Sequence, residues 1–207
     1  MIFLAHRGHW LHPDDRNSAA ALARAVSAGY GLETDIRDHD GALVVAHDPP
    51  TGAGLMTLDD LLDLYVSAGA PGALALNIKA DGLHRPLLEA LERWNLTNAF
   101  VFDMSTPDTL GYLRRGARVF TRQSEYEPQP AFYAQAAGVW LDCFERDWIT
   151  AEVVEGHLAA DKQVALVSPE LHGRAHQDAW ERWRGLAGRG GLMLCTDFPD
   201  EARAVFR

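Results

Sequence analysis

The chain alternates short, apolar, β-branched runs with Ala/Leu-rich stretches whose apolar residues recur at helical spacing. The first run, Ile2–His6, precedes a stretch that Asn17 or Ser18 caps and that Gly29 ends after residue 28. A second run over 31–37 leads through Asp40-Gly41 into a return run over 42–47, which predicts a small hairpin. The alternation continues with a helix over 58–68 behind Thr57, a strand over 73–79 and a helix over 86–94. A strand over 99–104 follows, then a helix that Ser105-Thr106-Pro107 begins and that runs to 115. Strand 118–122 pairs with helix 130–137, strand 138–142 with helix 150–160, and strand 163–168 with helix 177–186. Strand 191–196 and a helix from Pro199 close the chain. Eight strand–helix units with short connections predict an all-parallel α/β sheet, and eight favours closure into a (β/α)8 TIM barrel, one domain over 1–207. A doubly wound open sheet is the competing architecture, but its G-x-G-x-x-G turn after the first strand is absent.

A barrel concentrates its chemistry at the C-terminal ends of its strands. In this sequence those ends carry His6, Arg7, Glu33, Asp35, Asn77, Lys79, Asp103, Arg122, Glu125, Asp142, Glu170, His172 and Asp197. Glu33 and Asp35 stand two apart on one strand, so their side chains share a side. Carboxylates so close repel unless a cation lies between them, and hard oxygen ligands favour Mg²⁺ or Ca²⁺. An ion-paired rim with Arg7 or Arg37 is the plainer alternative. His6 and His47 end the first strand and the hairpin's return strand. A neutral imidazole takes a proton from an attacking hydroxyl, and an imidazolium gives one to a departing alkoxide. Arg7 and Lys79 offer positive charge for phosphate oxygens. Arg7 paired to Glu33, and Lys79 as a Schiff-base lysine, are the competing uses. His9, His12, His39, His84, His157 and His176 read as loop or surface residues.

Composition narrows the partners. At 207 residues and 47% hydrophobic, the chain can bury a substantial core. A formal charge of −10 argues against a nucleic-acid backbone, while leaving room for a local cationic pocket that takes a small phosphorylated substrate. No apolar stretch is long enough to span a bilayer, and no signal-peptide pattern opens the chain, so a cytoplasmic protein without membrane partners is expected. Cys143 and Cys195 stand alone in apolar segments and read as buried free thiols.

Taken together, Ala5-His6-Arg7-Gly8, Asn17-Ser18-Ala19, Leu32-Glu33-Thr34-Asp35-Ile36, Asp40-Gly41, Val44-Val45-Ala46-His47-Asp48 and Thr196-Asp197-Phe198-Pro199 resemble the glycerophosphodiester phosphodiesterase family, among the PLC-like phosphodiesterase barrels. The resemblance runs from the first strand to the last and is loose in the middle. It implies hydrolysis of a glycerophosphodiester, with a divalent metal (Mg²⁺ or Ca²⁺) on Glu33 and Asp35, an acid–base pair of His6 and His47, and Arg7 and Lys79 on the phosphate. Some relatives form a cyclic phosphate instead.

Three departures stand out. Where the family places a third acidic ligand two residues before the strand-end lysine, this chain has Asn77, whose amide oxygen binds Mg²⁺ or Ca²⁺ without adding charge. Asp103 or Glu125 are candidates to compensate. The family's Pro-Glu-Asn-Thr is Asp15-Arg16-Asn17-Ser18 here, and the insertion usual after His-Asp is missing between Pro49 and Thr57. The later strand ends are polar where the family is often apolar, so Arg122 and its neighbours suggest a hydrophilic, sugar-bearing head group. A salt-bridged rim of Arg122, Glu125, Glu170 and Arg174 is the alternative. A degenerate barrel that binds a phosphate ligand without catalysis, motivated by Asn77, is the second functional expectation.

Overall fold

A computed structural model describes residues 1–207. Eight parallel strands follow one another round a barrel: β1 (Ile2–His6), β2 (Gly31–His39), β4 (Leu74–Ile78), β5 (Ala99–Phe102), β6 (Phe120–Gln123), β7 (Gly138–Leu141), β8 (Gln163–Val167) and β9 (Leu192–Thr196). β3 (Ala42–Val45) runs antiparallel to β2 and forms the expected hairpin. Asp40 and Gly41 both take positive φ at its turn, 49° and 81°, the primed geometry that matches strand twist. Between β5 and β6 the ladder thins to a single bridge, Val101 with Val119, so the barrel is nearly closed.

Seven helices cover the sheet: α1 (Ala19–Ser27), α2 (Leu58–Ser67), α3 (His84–Arg93), α4 (Thr106–Leu113), α5 (Ala151–Ala159), α6 (Gln177–Trp183) and α7 (Pro199–Val205). Their starts follow local chemistry. Ser18 caps α1 through Ala21 N–H, and Thr57 and Asp60 form a reciprocal capping box at α2. Each helix turns its apolar stripe inward; α2 buries Leu58, Leu61, Leu62 and Tyr65 at i, i+3, i+4 and i+7. One predicted helix is absent. The segment 130–137 after β6 forms turns, because Pro128 and Pro130 lack donors and Phe132 takes a left-handed φ of 55° that interrupts any helix.

The lumen is packed, as a barrel of this size requires. Leu4, Ala75, Phe100, Phe102, Phe120, Trp140, Ala165, Met193 and Cys195 fill it, with Phe100 stacked on Phe120 at 3.8 Å and Phe102 on Trp140 at 3.9 Å. Glycine makes room for this filling: a Cβ at Gly138 would lie 2.5 Å from the Phe120 ring. Both cysteines are buried and free, as expected. Because side chains alternate along a strand, the same inward positions that carry Leu4, Ala75 and Trp140 carry His6, Asn77 and Asp142 one step later, at the mouth. No helix is long and apolar enough to cross a membrane.

Candidate active site

A cavity of about 340 Å³ opens at the C-terminal mouth, floored by Phe102 and Trp140. It gathers His6, Arg7, Glu33, His47, Asn77, Lys79 and Arg122 from strand ends that are up to 116 residues apart in the chain (122 − 6). Asp35 lies beneath them with no exposed surface.

The His-Arg-Gly turn is built by close backbone approach. Arg7 and Gly8 both have positive φ, 54° and 88°, and a Cβ on Gly8 would lie 2.7 Å from the Ala21 backbone in the first turn of α1. This tuck aims the Arg7 side chain back over β2, where its Nε lies 3.0 Å from Asp35 Oδ2. Lys79 Nζ approaches the other oxygen of Asp35 at 3.4 Å. Asn17, itself left-handed at φ 60°, donates to Asp35 Oδ2 at 2.8 Å and accepts from Thr34 Oγ1. Asp35 is therefore the hub that positions both cations. Arg37 takes no part; it donates to the His47 carbonyl.

His6 Nδ1 bonds Asp197 Oδ1 at 2.6 Å, and Arg16 holds the second oxygen of Asp197 at 3.2 Å. A carboxylate only accepts, so Nδ1 carries the hydrogen and a neutral ring presents the lone pair of Nε2. That nitrogen lies 3.9 Å from Glu33 Oε2. His47 sits on the rim, 43% exposed, with Nδ1 2.9 Å from Asp48. Both rings line the same cavity.

Glu33 is 2% exposed, and burial raises its pKa to about 7; Asp35 reinforces the rise while His6, Arg7 and Lys79 oppose it. Its contacts are long: Asn77 Nδ2 at 3.4 Å and Arg7 N–H at 3.3 Å. No cluster of three His, Cys, Asp or Glu side chains is arranged to hold a metal. Yet Asn77 Oδ1 is a buried oxygen without a hydrogen-bond donor, while the oxygens of Asp35 face Arg7 and Lys79. An orphaned amide oxygen beside the under-compensated Glu33 carboxylate suits a hard cation, and Asp35 completes an oxygen donor set by sharing its charge with Arg7 and Lys79.

Across the mouth Arg122 Nη1 reaches Asp103 at 3.1 Å and Nε reaches Glu127 at 2.5 Å. Burial raises the Asp103 pKa against the pull of Arg122 and Lys79. His172 Nε2 bonds Asp142 Oδ1 at 2.6 Å. The alternative, a salt-bridged rim among Arg122, Glu125, Glu170 and Arg174, does not form. Glu125 accepts the backbone N–H groups of 144–146, Glu170 turns inward to Ser168 and Thr196, and Arg174 pairs with Asp147. Glu125 is thereby unavailable to replace an acid at 77. His176, expected at the surface, is 5% exposed against Trp180.

Asp197, Arg16 and Asn17 are the site residues that residue-by-residue assignment leaves without a role. Their motifs, Thr196-Asp197 and Arg16-Asn17-Ser18, were visible, but the partners lie 191, 181 and 18 positions away.

No protein-family model and no curated protein matches the sequence. Solved structures do match in fold. A glycerophosphodiester phosphodiesterase from Agrobacterium tumefaciens superposes with a TM-score of 0.68 at 18% identity, covering 99% of this chain and 98% of that one. An Oleispira antarctica phosphodiesterase, solved with its product sn-glycerol-3-phosphate, gives 0.66 at 14% identity over 99% and 96%. A Ca²⁺-dependent phosphatidylinositol-specific phospholipase C from Streptomyces antibioticus gives 0.54 at 12% identity, again over 99% and 96%. The chain thus has the barrel fold of the glycerophosphodiester phosphodiesterases along its whole length.

Proposed function

We propose that this chain is a metal-dependent phosphodiester hydrolase acting on a glycerophosphodiester or a related diester with a polar head group. The observation that carries the reading is the convergence of His6, His47, Glu33, Arg7 and Lys79 on one cavity of a barrel with this fold. Phosphoryl transfer requires positioned positive charge on the phosphate oxygens and two proton transfers. Arg7 and Lys79, anchored on Asp35, supply fixed charge. Water or a substrate hydroxyl attacks phosphorus and yields its proton to His6 Nε2, and Asp197 and Arg16 hold the ring in that tautomer. The bond to the departing alcohol breaks, and that oxygen takes a proton from His47. Glu33, Asp35 and the Asn77 amide would hold Mg²⁺ or Ca²⁺, which when bound adds Lewis-acid stabilisation of the phosphoryl oxygens.

The test is a panel of glycerophosphodiesters and sugar phosphodiesters assayed with Mg²⁺, Ca²⁺ and chelator. Release of alcohol and phosphomonoester that needs a divalent ion and His6 is the expected result; no turnover with any pairing overturns the reading. A second reading, a phosphate-binding barrel without catalysis, draws on the neutral Asn77 and on the ion pairs that occupy Asp35. Calorimetry separates the two, because that barrel takes up phosphate esters and no ion at millimolar Mg²⁺ or Ca²⁺.

A further inference from the structure

In the closed order of eight strands, β7 stands opposite β2 and β6 opposite β1. The wall facing Glu33 and His6 therefore belongs to β6, β7 and the β8 loop, which bring Arg122, Asp142 and His172 to the same cavity. We propose that the Asp142–His172 pair, with Asp103–Arg122 beside it, is a recognition subsite for a polyhydroxylated alcohol, a hexose or cyclitol esterified to the phosphate. The proposal rests on the phosphodiesterase reading above and specifies its leaving group.

The free valences of this wall match hydroxyl groups. Both hydrogen bonds of Asp142, from His172 Nε2 at 2.6 Å and from Cys143 N–H at 2.9 Å, fall on Oδ1, leaving Oδ2 to accept from a ligand. His172 must carry its hydrogen on Nε2 to meet a carboxylate, so Nδ1 of the neutral ring is a second free acceptor. Arg122 commits Nε to Glu127 and Nη1 to Asp103, leaving Nη2 to donate. A hydroxyl both donates and accepts, so adjacent hydroxyls on a sugar ring can satisfy all three groups. Phe144 packs against both polar partners, its ring 4.8 Å from that of His172 and 5.5 Å from the Arg122 guanidinium.

The wall is also held rigid. His172 ends a one-turn helix, Pro169–His172, closed by left-handed Gly173, and Arg174 ties that loop to Asp147 and to the Cys143 carbonyl, each at 2.6 Å. Fixed donors and acceptors discriminate between head groups better than mobile ones. A quaternary ammonium makes no hydrogen bonds and so leaves these acceptors unused, and the aromatic face it would seek is already held by the Arg122 guanidinium, over the Phe144 ring at 5.5 Å. A second phosphate would meet the carboxylates of Asp142 and Asp103. At about 340 Å³ the cavity is near the small end of small-molecule sites, about 300–1,000 Å³, and suits one ring.

Titration calorimetry with glucose 1-phosphate, inositol 1-phosphate, phosphocholine and inorganic phosphate tests the subsite without turnover. The polyol monophosphates should bind at least about tenfold tighter than the other two, the worth of one or two charge-assisted hydrogen bonds. His172→Ala and Asp142→Asn should erase that preference, while His172→Gln, which keeps a donor toward Asp142, retains part of it. Equal binding of phosphocholine, or variants that weaken all four ligands alike, overturns the proposal. His6→Ala should abolish hydrolysis and keep the preference. If wild-type protein shows the preference and hydrolyses no diester, the subsite stands and the hydrolase reading falls; hydrolysis without the preference gives the reverse.

Discussion

The two walls of the barrel mouth use the same kinds of side chain to opposite ends. On the β1–β2–β4 side the acids are shared: Asp35 serves Arg7, Lys79 and Asn17 together, while Glu33 has only long contacts. One buried oxygen there, on Asn77, finds no donor. On the β5–β8 side each acid has a partner of its own, Asp142 with His172 at 2.6 Å and Asp103 with Arg122 at 3.1 Å, and Arg122 also bonds Glu127. On the proposed reading, a cation and a phosphate complete the wall whose acid is shared. On the far wall each acid has its own partner, which leaves spare hydrogen-bonding valences to offer. On that reading the difference separates the proposed place for chemistry from the proposed place for recognition.

The largest test of that contrast is Asp35→Ala. It strands Arg7 and Lys79 beside each other and should cost about 3–5 kcal/mol in denaturant unfolding, with loss of any turnover. A cost below about 1 kcal/mol would mean that the hub organises nothing.

Glu33 gives a pH signature next in size. Its pKa is about 7 in the folded protein against an ordinary 4.5, so between those values the folded state holds a proton that the unfolded chain has released. Metal-free protein should therefore be most stable below about pH 4.5 with respect to this group and lose stability, of order 3 kcal/mol, as pH rises to about 7. Glu33→Gln should flatten that slope, and bound Mg²⁺ or Ca²⁺ should do so by holding the carboxylate ionised.

His6→Ala and His47→Ala should each lower kcat by about a hundredfold or more. Asp197→Asn should lower it less and alter the pH–rate profile, because it frees the tautomer of His6 without removing the ring. Equal profiles for wild type and Asp197→Asn would contradict the positioning role.

Asn77→Glu should tighten Mg²⁺ or Ca²⁺ binding by at least about tenfold, since ligand charge sets affinity in oxygen sites. It should also destabilise the metal-free protein, where it adds a third acid beside Glu33. The smallest effect belongs to the far wall. Asp103→Asn keeps a residue that tolerates the φ of 66° and leaves Arg122 its bond to Glu127, so unfolding should shift by about 1 kcal/mol or less.

Much of the near wall could be read along the chain. The motifs His6-Arg7-Gly8, Glu33-x-Asp35 and His47-Asp48 are compact, and strand periodicity alone places Glu33 and Asp35 on one side. The far wall was legible only as a set of polar strand ends. Nothing local distinguishes Glu125 and Glu170, which satisfy backbone and core groups, from Asp142 and Asp103, which face the cavity. The same limit applied to helix 130–137, whose composition suited a helix that Pro128, Pro130 and the Phe132 backbone prevent.

By itself the sequence determined the alternation of eight strands, the hairpin, the caps and the identity of the acids, imidazoles and cations at the strand ends, because each follows from interactions within a few residues. Tertiary structure decided which of those groups meet: Asp197 with His6 across 191 positions, Arg7 and Lys79 on a common Asp35, and His172 on Asp142. Those choices depend on barrel closure and on which strands stand opposite one another, and a spacing along one strand carries no information about the strand across the lumen.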